Sequence, residues 1–396
     1  MGRDLAGAGT ARRPDVGGQA VIEGVMMRSP ASFTVVCRRP DGSIVIKEEA
    51  WRPVWTGMPF LRWPVMRGAV VLLESLLNGI SALAFSANQQ MTEEPDQKNE
   101  KAGQKAGEAA GAGDTATEPR GKVAAGKVAG GAPLRSLGAR AADQPPDPDP
   151  DDGRSSMATW GMVGMSLLFG LALFVGAPHL AAWGIGTLAG FDSTSFTFHI
   201  VDGAIKLLLL VGYMAAISLL PDVQRVFQYH GAEHKAIFTY EHGLPLTVAN
   251  ARSQSRFHPR CGTSFLLIVI GVSVVLFSAS LTHRFAETPL FDHLIKIGIK
   301  VPLMFPVAGL AYELIKLAGR KCDTSRMARA LSAPGMWLQK ITTREPDDAQ
   351  LEIALLSIRK TLWRERADRE GAALPIGARG VEVFRSGAEV DLPLAA

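Results

Sequence analysis

The sequence predicts a mainly α-helical, polytopic membrane protein of about four transmembrane helices, with a small N-terminal β-hairpin unit. Three observations predict it. Four apolar runs after residue 157 are each near the ~20 residues needed to cross a hydrocarbon layer of about 30 Å. Lys and Arg gather in some of the connections between these runs and avoid others, as topological signals do. Two β-branched runs near the N-terminus flank an Asp-Gly pair, which supplies the positive φ of a tight hairpin turn.

Residues 1–15 hold arginines with no apolar core behind them, so no cleavable leader is expected and the segment is read as disordered. Residues 16–60 form the β-rich unit. Its strands are SFTVVCR (32–38) and SIVIKEE (43–49), joined through Pro40-Asp41-Gly42, with a glycine-punctuated apolar stretch upstream at 17–28. Residues 64–88 repeat as a helix. Arg67, Glu74, Asn78 and Ser81 keep to one stripe, opposite Val70, Leu73, Leu77, Ile80 and Leu83. That segregation favours a helix lying in the membrane interface over a fifth span at Gly68–Ala87, which length alone would allow. Residues 91–156 are dominated by Ala, Gly, Pro, Asp and Lys. So little apolar surface cannot offset the entropy of ordering, and a disordered linker is expected.

The predicted spans are Trp160–Trp183, Gly203–Leu220, Ser264–Leu281 and roughly Ile297–Leu317, placing spans one and two within 157–220 and spans three and four within 263–318. The fourth carries Pro302, Pro306, Lys300, Glu313 and Lys316; prolines are tolerated where neighbours satisfy the freed carbonyls. The connection 184–202 has no Lys or Arg. The next has Arg225, Lys235, Arg252, Arg256 and Arg260, and beyond span four come Arg320, Lys321, Arg326 and Arg329. Both termini and the 221–262 loop are therefore expected on the cytoplasmic side of the membrane. Residues 319–370 read as a cytoplasmic helical segment, amphipathic through Leu351, Leu355, Ile358 and Leu362, and 371–396 as a poorly ordered tail.

The net charge of +4 is too mild, and too little interleaved with aromatics, to argue for nucleic acid. The expected partner is the lipid bilayer, with membrane-protein or peptide partners left open. Cys37, Cys261 and Cys322 lie far apart and form no Cys-x-x-Cys pair, which gives no disulfide framework and suits a reducing compartment.

Chemistry concentrates in the 221–262 loop, which holds four of the eight histidines. His230 and His234 are four apart, so on a helix they share a face and can reach one metal. With Glu233 they spell H-x-x-E-H, the inverted zinc-hydrolase pattern, in which the glutamate is the general base for the attacking water. A third ligand is needed, and His258, Cys261 and Glu313 are the candidates. His258 and Cys261 are close in sequence. Glu313 is a carboxylate inside an apolar stretch that must be paired or liganded. The alternative is that the histidines solvate a helix continuing from span two, with Glu233 paired to Lys235 or Arg225. Asp202 and Lys206 are read as an i,i+4 ion pair, Glu23 and Arg28 as structural residues of the sheet, and Cys37 and Cys322 as inert.

Four stretches resemble the hallmarks of the bacterial YqhQ family: GGQAVIEGVMMR at 17–28, RVFQYHGAEHK at 225–235, RCG at 260–262 and GMWLQKITTREP at 335–346. The resemblance spans nearly the whole chain apart from the linker and the two tails. It implies a membrane-protein domain of unknown function, with a relative in plant plastids, labelled a metal-dependent enzyme on the same histidine cluster. The residues it carries over are His230, Glu233, His234, His258 and Cys261. Two expectations follow. One is a membrane-embedded zinc hydrolase acting on a peptide, lipid or other membrane-associated substrate. The other is a non-catalytic assembly or translocation factor in which the cluster is structural.

Overall fold

The computed structural model describes residues 13–50, 63–91, 161, 164–321, 325–369, 380–390 and 392. The chain divides into two units, Met1–Thr92 with Gly170–Ala396, and Glu93–Phe169. Of the second unit, only helical residues 161 and 164–169 are described. The expectations for residues 1–12, 51–60, the linker 92–156 and Cys322 lie outside the described residues.

The β-unit is larger than a hairpin. Strands β1 (Gly17–Val21), β2 (Gly24–Arg28), β3 (Ser32–Arg38) and β4 (Ile44–Ala50) form an antiparallel meander. The β3–β4 turn is the predicted one: Gly42 takes φ 86° and Asp41 Oδ1 accepts from the Ser43 amide at 2.8 Å. Between β1 and β2 the turn is Ile22-Glu23, with Glu23 itself at φ 50°, a conformation uncommon for a residue with a side chain. A fifth strand, β5 (Gly380–Phe384), pairs with β4 through Ile44↔Phe384 and Ile46↔Glu382. Part of the stretch expected as a poorly ordered tail is therefore an edge strand. Five residues of weak alternation do not announce a strand whose partner lies more than three hundred positions upstream. Residues 13–15 are likewise not a loose leader. Arg13 donates to the Tyr240 carbonyl at 2.8 Å, and the Tyr240 hydroxyl donates to the Pro14 carbonyl at 3.0 Å.

Alternation places Val25, Met27, Val36, Ile44 and Ile46 on one sheet face and Met26, Phe33 and Val35 on the other, and each face is covered by helix. The first packs on α4 (Pro221–Glu241) and α9 (Asp348–Arg369), through Tyr229, Ala232, Ala236, Leu351, Leu355 and Ile358. The second packs on the C-terminal half of α1 (Pro64–Met91), through Ala82 and Phe85.

Among the described residues, five helices are long and apolar enough to cross a membrane: α1, α2 (Gly164–Ala189, π-helical at Ala172–Gly176), α3 (Phe196–Ile217), α6 (Gly262–Ser280) and α7 (Pro289–Lys321). A short α5 (Val248–Arg252) and α8 (Arg326–Thr342) complete the set. The four expected spans fall on α2, α3, α6 and α7, and α1 is the fifth candidate. Its Gly68 meets Gly309 of α7 backbone to backbone, and its Glu74 is buried, while Leu73, Leu76, Leu77 and Ile80 are exposed. One face of α1 is therefore packed on protein and the other is apolar and open. Outward residues such as Leu188, Leu208 and Val275 continue that exposed apolar surface on the other spans, as a lipid-facing surface does.

Candidate metal centre

The predicted loop is folded around one helix. α3 ends at Ile217, and Pro221 restarts the chain as the first residue of α4, where the missing proline N–H costs nothing. His230 and His234 then look toward the end of α8 and the 253–261 segment, and Glu233 looks toward β1. Gly231 makes this approach feasible: a Cβ there would lie 2.2 Å from the Arg344 carbonyl oxygen, so only glycine lets the chain after α8 cross α4 so closely.

His230, His234 and Cys261 each offer a ligand atom, and these atoms lie within 4.8 Å of one another. His230 Nε2 is 3.2 Å from Cys261 Sγ, and His234 hydrogen-bonds the same thiol. Cys261 is the N-cap of α6, its sulfur also facing the Thr263 amide at 3.5 Å. The other ring nitrogens are tied to backbone. His230 Nδ1 sits 2.8 Å from the Thr342 carbonyl and His234 Nδ1 sits 2.5 Å from the Arg256 carbonyl. A carbonyl can only accept, so each Nδ1 carries the proton and each Nε2 keeps its lone pair. Two lone pairs and a sulfur thus converge, in the tautomeric state that metal-ligating histidines adopt. Burial holds the His234 imidazole below its ordinary pKa, which also favours the neutral, ligating form.

His258 stands beside this group and outside it. Gln339 clamps its backbone, accepting from the amide and donating to the carbonyl, both at 2.8 Å. Its ring is fully engaged as well: Nδ1 accepts from the Arg260 amide at 3.2 Å and Nε2–H faces Glu241 at 3.3 Å. Burial keeps this imidazole neutral, pushing its pKa down to about 4 against the opposing pull of Glu233. The ring packs 4.5 Å from Phe238 and 5.6 Å from His234, centroid to centroid, and so braces His234. Glu313 is elsewhere, paired with Arg67 of α1 at 2.7 Å. Its carboxylate has the partner that its apolar setting demands, and that partner is an arginine on a helix the sequence offers no reason to place beside it.

Glu233 is buried under β1. Its carboxylate accepts from the Gly18 amide, and a Cβ on Gly18 would lie 2.8 Å from Glu233 Cγ and Oε1. Burial pushes this carboxyl above its ordinary pKa, with His230 and His258 pulling the other way. Neither expected partner serves it. Lys235 reaches Glu345 and the Arg252 carbonyl, and Arg225 reaches Glu23. Glu23 also lies 3.3 Å from the Tyr229 hydroxyl, so it does join the sheet to α4. Cys37 is fully buried in the sheet, and burial pushes its thiol to about 12, which leaves it unreactive.

A cavity of about 670 Å³ is lined by Gln228, Arg256, Lys340, Thr343, Arg344 and Glu345, among others. It shares Arg256 and Thr343 with the backbone segments that orient His234 and His230. Gly18, Gln339, Thr342 and Arg256, which hold Glu233, His258, His230 and His234 in place, carry no signal in the H-x-x-E-H pattern. The stretches GGQAVIEG and GMWLQKITTREP are where most of them lie.

These features define a polytopic membrane protein class: apolar helices joined to a helix-covered sheet, with a His/His/Cys group that could hold a metal ion where the helices meet the folded loop. The family described as a protein of unknown function, DUF1385, matches residues 63–364. The chain is also 31% identical over 358 residues to the uncharacterized protein YqhQ of Bacillus subtilis (strain 168), covering 89% of this chain and 93% of that protein. It belongs to the DUF1385/YqhQ family. No solved structure matches it.

Proposed function

We propose that the chain is a membrane-embedded, zinc-dependent hydrolase whose centre lies at the cytoplasmic face of the bacterial inner membrane. The observation that carries the reading is the pair of backbone carbonyls on His230 and His234 Nδ1, which leaves both Nε2 lone pairs facing Cys261. Three protein ligands with an open fourth position are the usual make-up of a catalytic zinc site, and a mixed Cys/His set belongs to that range. Zinc in this position would supply Lewis acidity and make water a competent nucleophile near neutral pH. Glu233, whose burial raises its proton affinity, is suited to take and return a proton during hydrolysis. The cavity lined by Arg256, Lys340 and Arg344 suits a membrane-associated substrate with an anionic or strongly polar group.

One observation favours a second reading. Glu233 is pinned by the Gly18 amide and covered by β1, and the ligand set ties together α4, the 253–261 segment, the end of α8 and α6. A structural metal site in a non-catalytic assembly factor would use the same residues. Two measurements on full-length protein purified in detergent without chelator separate the readings. Elemental analysis is expected to give about one zinc per chain; a well-folded preparation free of transition metal rejects the hydrolase. Glu233→Gln is expected to keep the zinc and abolish complementation of a deletion strain. Full complementation by that variant leaves the structural reading standing.

A further inference from the structure

A second polar centre is buried between α2, α3 and α7, toward the opposite ends of α3 and α7 from the His/His/Cys group. Asp202 and Lys206 form the i,i+4 ion pair that their spacing predicts, and further groups join them. Asp202 Oδ2 accepts from Lys206 at 2.7 Å and from Lys300 of α7 at 2.6 Å. The Lys300 ammonium also donates to His179 Nδ1 of α2 at 2.8 Å, and His179 Nε2 is 3.0 Å from His293 Nδ1. One turn away, Lys296 reaches Asp292 at 2.9 Å and the Ser193 hydroxyl at 2.7 Å. Ser193 in turn lies 3.1 Å from Asp192, which meets the exposed Arg284. The side chains of Lys296 and Lys300 are 0% exposed, and that of Asp202 is 2% exposed.

Ionisable side chains inside a membrane are expensive and usually mark proton or ion pathways. The connectivity here has a direction. An ammonium has only hydrogens to give, so His179 Nδ1 must be the acceptor and its proton sits on Nε2, which donates to His293 Nδ1. The chain Lys300 to His179 to His293 is therefore an ordered series of donors, running toward the end marked by Asp292, Ser193 and Asp192. Charge is not balanced: three ammoniums face Asp202 and Asp292, the third carboxylate, Asp192, being matched by Arg284, and the imidazoles add nothing while neutral. In a setting that desolvates charge this surplus is costly, and the loss of one proton removes it. Among the described residues, two buried groups beside the series also lack a hydrogen-bond partner, both ring nitrogens of His199 and Oδ1 of Asp202, three positions apart on α3. An ion-pair staple for helix packing needs neither the surplus nor the imidazole series.

We propose that this cluster is a proton-exchange site within the membrane domain, with Lys300 as the group that gains and loses the proton. On release, the Lys300 Nζ–H bond breaks as His179 Nδ1 takes the proton. The His179 Nε2–H proton passes to His293 Nδ1, and the His293 Nε2–H proton leaves to a solvent base. Lys300 is then a neutral amine, both imidazoles are neutral with their protons moved from Nε2 to Nδ1, and Asp202 is balanced by Lys206 alone. The groups that set the equilibrium are His179 on α2, Asp192 in the α2–α3 connection, and His199, Asp202 and Lys206 on α3. Arg284 before α7, and Asp292, His293 and Lys296 on α7 itself, complete the set. α6 contributes the Phe277 ring, 5.2 Å from Lys300 Nζ.

The test is a potentiometric titration of the full-length chain in lipid nanodiscs, wild type against Lys300→Arg. Arginine keeps the charge and the donors but cannot give up a proton in the working range. Between about pH 6 and about pH 9 the wild type is expected to release about one more proton per chain than the variant; equal release overturns the proposal. A measurement on the wild type alone covers the case where the variant does not fold. Nitrogen NMR of histidine-labelled protein is expected to show His179 with a bare Nδ1 at neutral pH and a protonated Nδ1 at the alkaline end. A His179 tautomer that stays unchanged across the range overturns it equally.

Discussion

The two buried polar centres use the same residue to opposite ends, and the difference lies in what touches Nδ1. At His230 and His234 that atom faces a carbonyl, so it holds the proton and Nε2 is left as a lone pair beside a sulfur. At His179 it faces an ammonium, so it gives up its lone pair there and Nε2 becomes a donor. One partner atom decides whether an imidazole is a ligand or a link in a hydrogen-bonded series. The first centre is built from backbone carbonyls and needs no charge. The second is built from lysines and carboxylates and depends on it.

The sharpest way to break this contrast is to delete one histidine from each centre. His234→Ala is expected to reduce bound zinc from about one per chain to almost none, whereas His179→Gln is expected to leave the zinc content of the folded protein unchanged. Parallel losses would mean that metal content merely follows folding. A subtler intervention acts through backbone alone. Gly231→Ala forces the Arg344 carbonyl away from α4 and shifts the adjacent Thr342 carbonyl off His230. A fall in zinc affinity of about 10- to 100-fold is expected, with a loss of stability of about 1–3 kcal/mol from the overpacked crossing, read by chelator competition and thermal melting. Unchanged affinity would show that Thr342 does not orient His230.

How much of this was legible in the sequence differs between the centres. The His230–His234 spacing pointed to one face of a helix, and Cys261 was among the candidate third ligands, because helical periodicity and ligand chemistry are local properties. His258 and Glu313 were equally good candidates by residue type, and the sequence could not rank the three. What separates them is tertiary: the Arg260 amide and Glu241 occupy the ring nitrogens of His258, and Arg67 occupies Glu313. The second centre was visible only as Asp202 and Lys206. Its other members are single polar residues in apolar helices, and only the packing of α2, α3 and α7 brings them into contact. The β-hairpin was readable from its Asp-Gly turn, but β5 was not, since strand pairing at that separation leaves no local trace.

Two smaller effects refine the comparison. In chelator-treated protein, His258 is expected to titrate at about 4 rather than at its ordinary 6.5, followed by histidine NMR. The unfolded chain takes up this proton first as the medium acidifies. The stability associated with neutral His258 is therefore present above 6.5 and is lost as pH falls toward about 4. Glu233, raised by burial, acts in the reverse sense, so Glu233→Gln is expected to steepen this acid loss. A pH–stability curve unaffected by Glu233→Gln would contradict the coupling. The smallest change is expected from Glu313→Gln. It weakens the contact with Arg67 of α1 and is expected to leave zinc content at the wild-type level, and a drop in zinc would return Glu313 to the ligand set.

The placement of β5 and α9 has a consequence for how the chain is made. Strands β1 to β4 emerge first, yet one face of their sheet is covered by Leu351, Leu355 and Ile358, and the edge of β4 is closed by residues 380–384. At ~5–20 residues per second, the nascent sheet waits roughly 15–60 s for the part of its cover that α9 and β5 supply, while the apolar helices between enter the bilayer. During that interval an apolar face and a bare strand edge stand at the membrane surface. Chains truncated before α9 should therefore be degraded or aggregate even though every membrane helix is already in place.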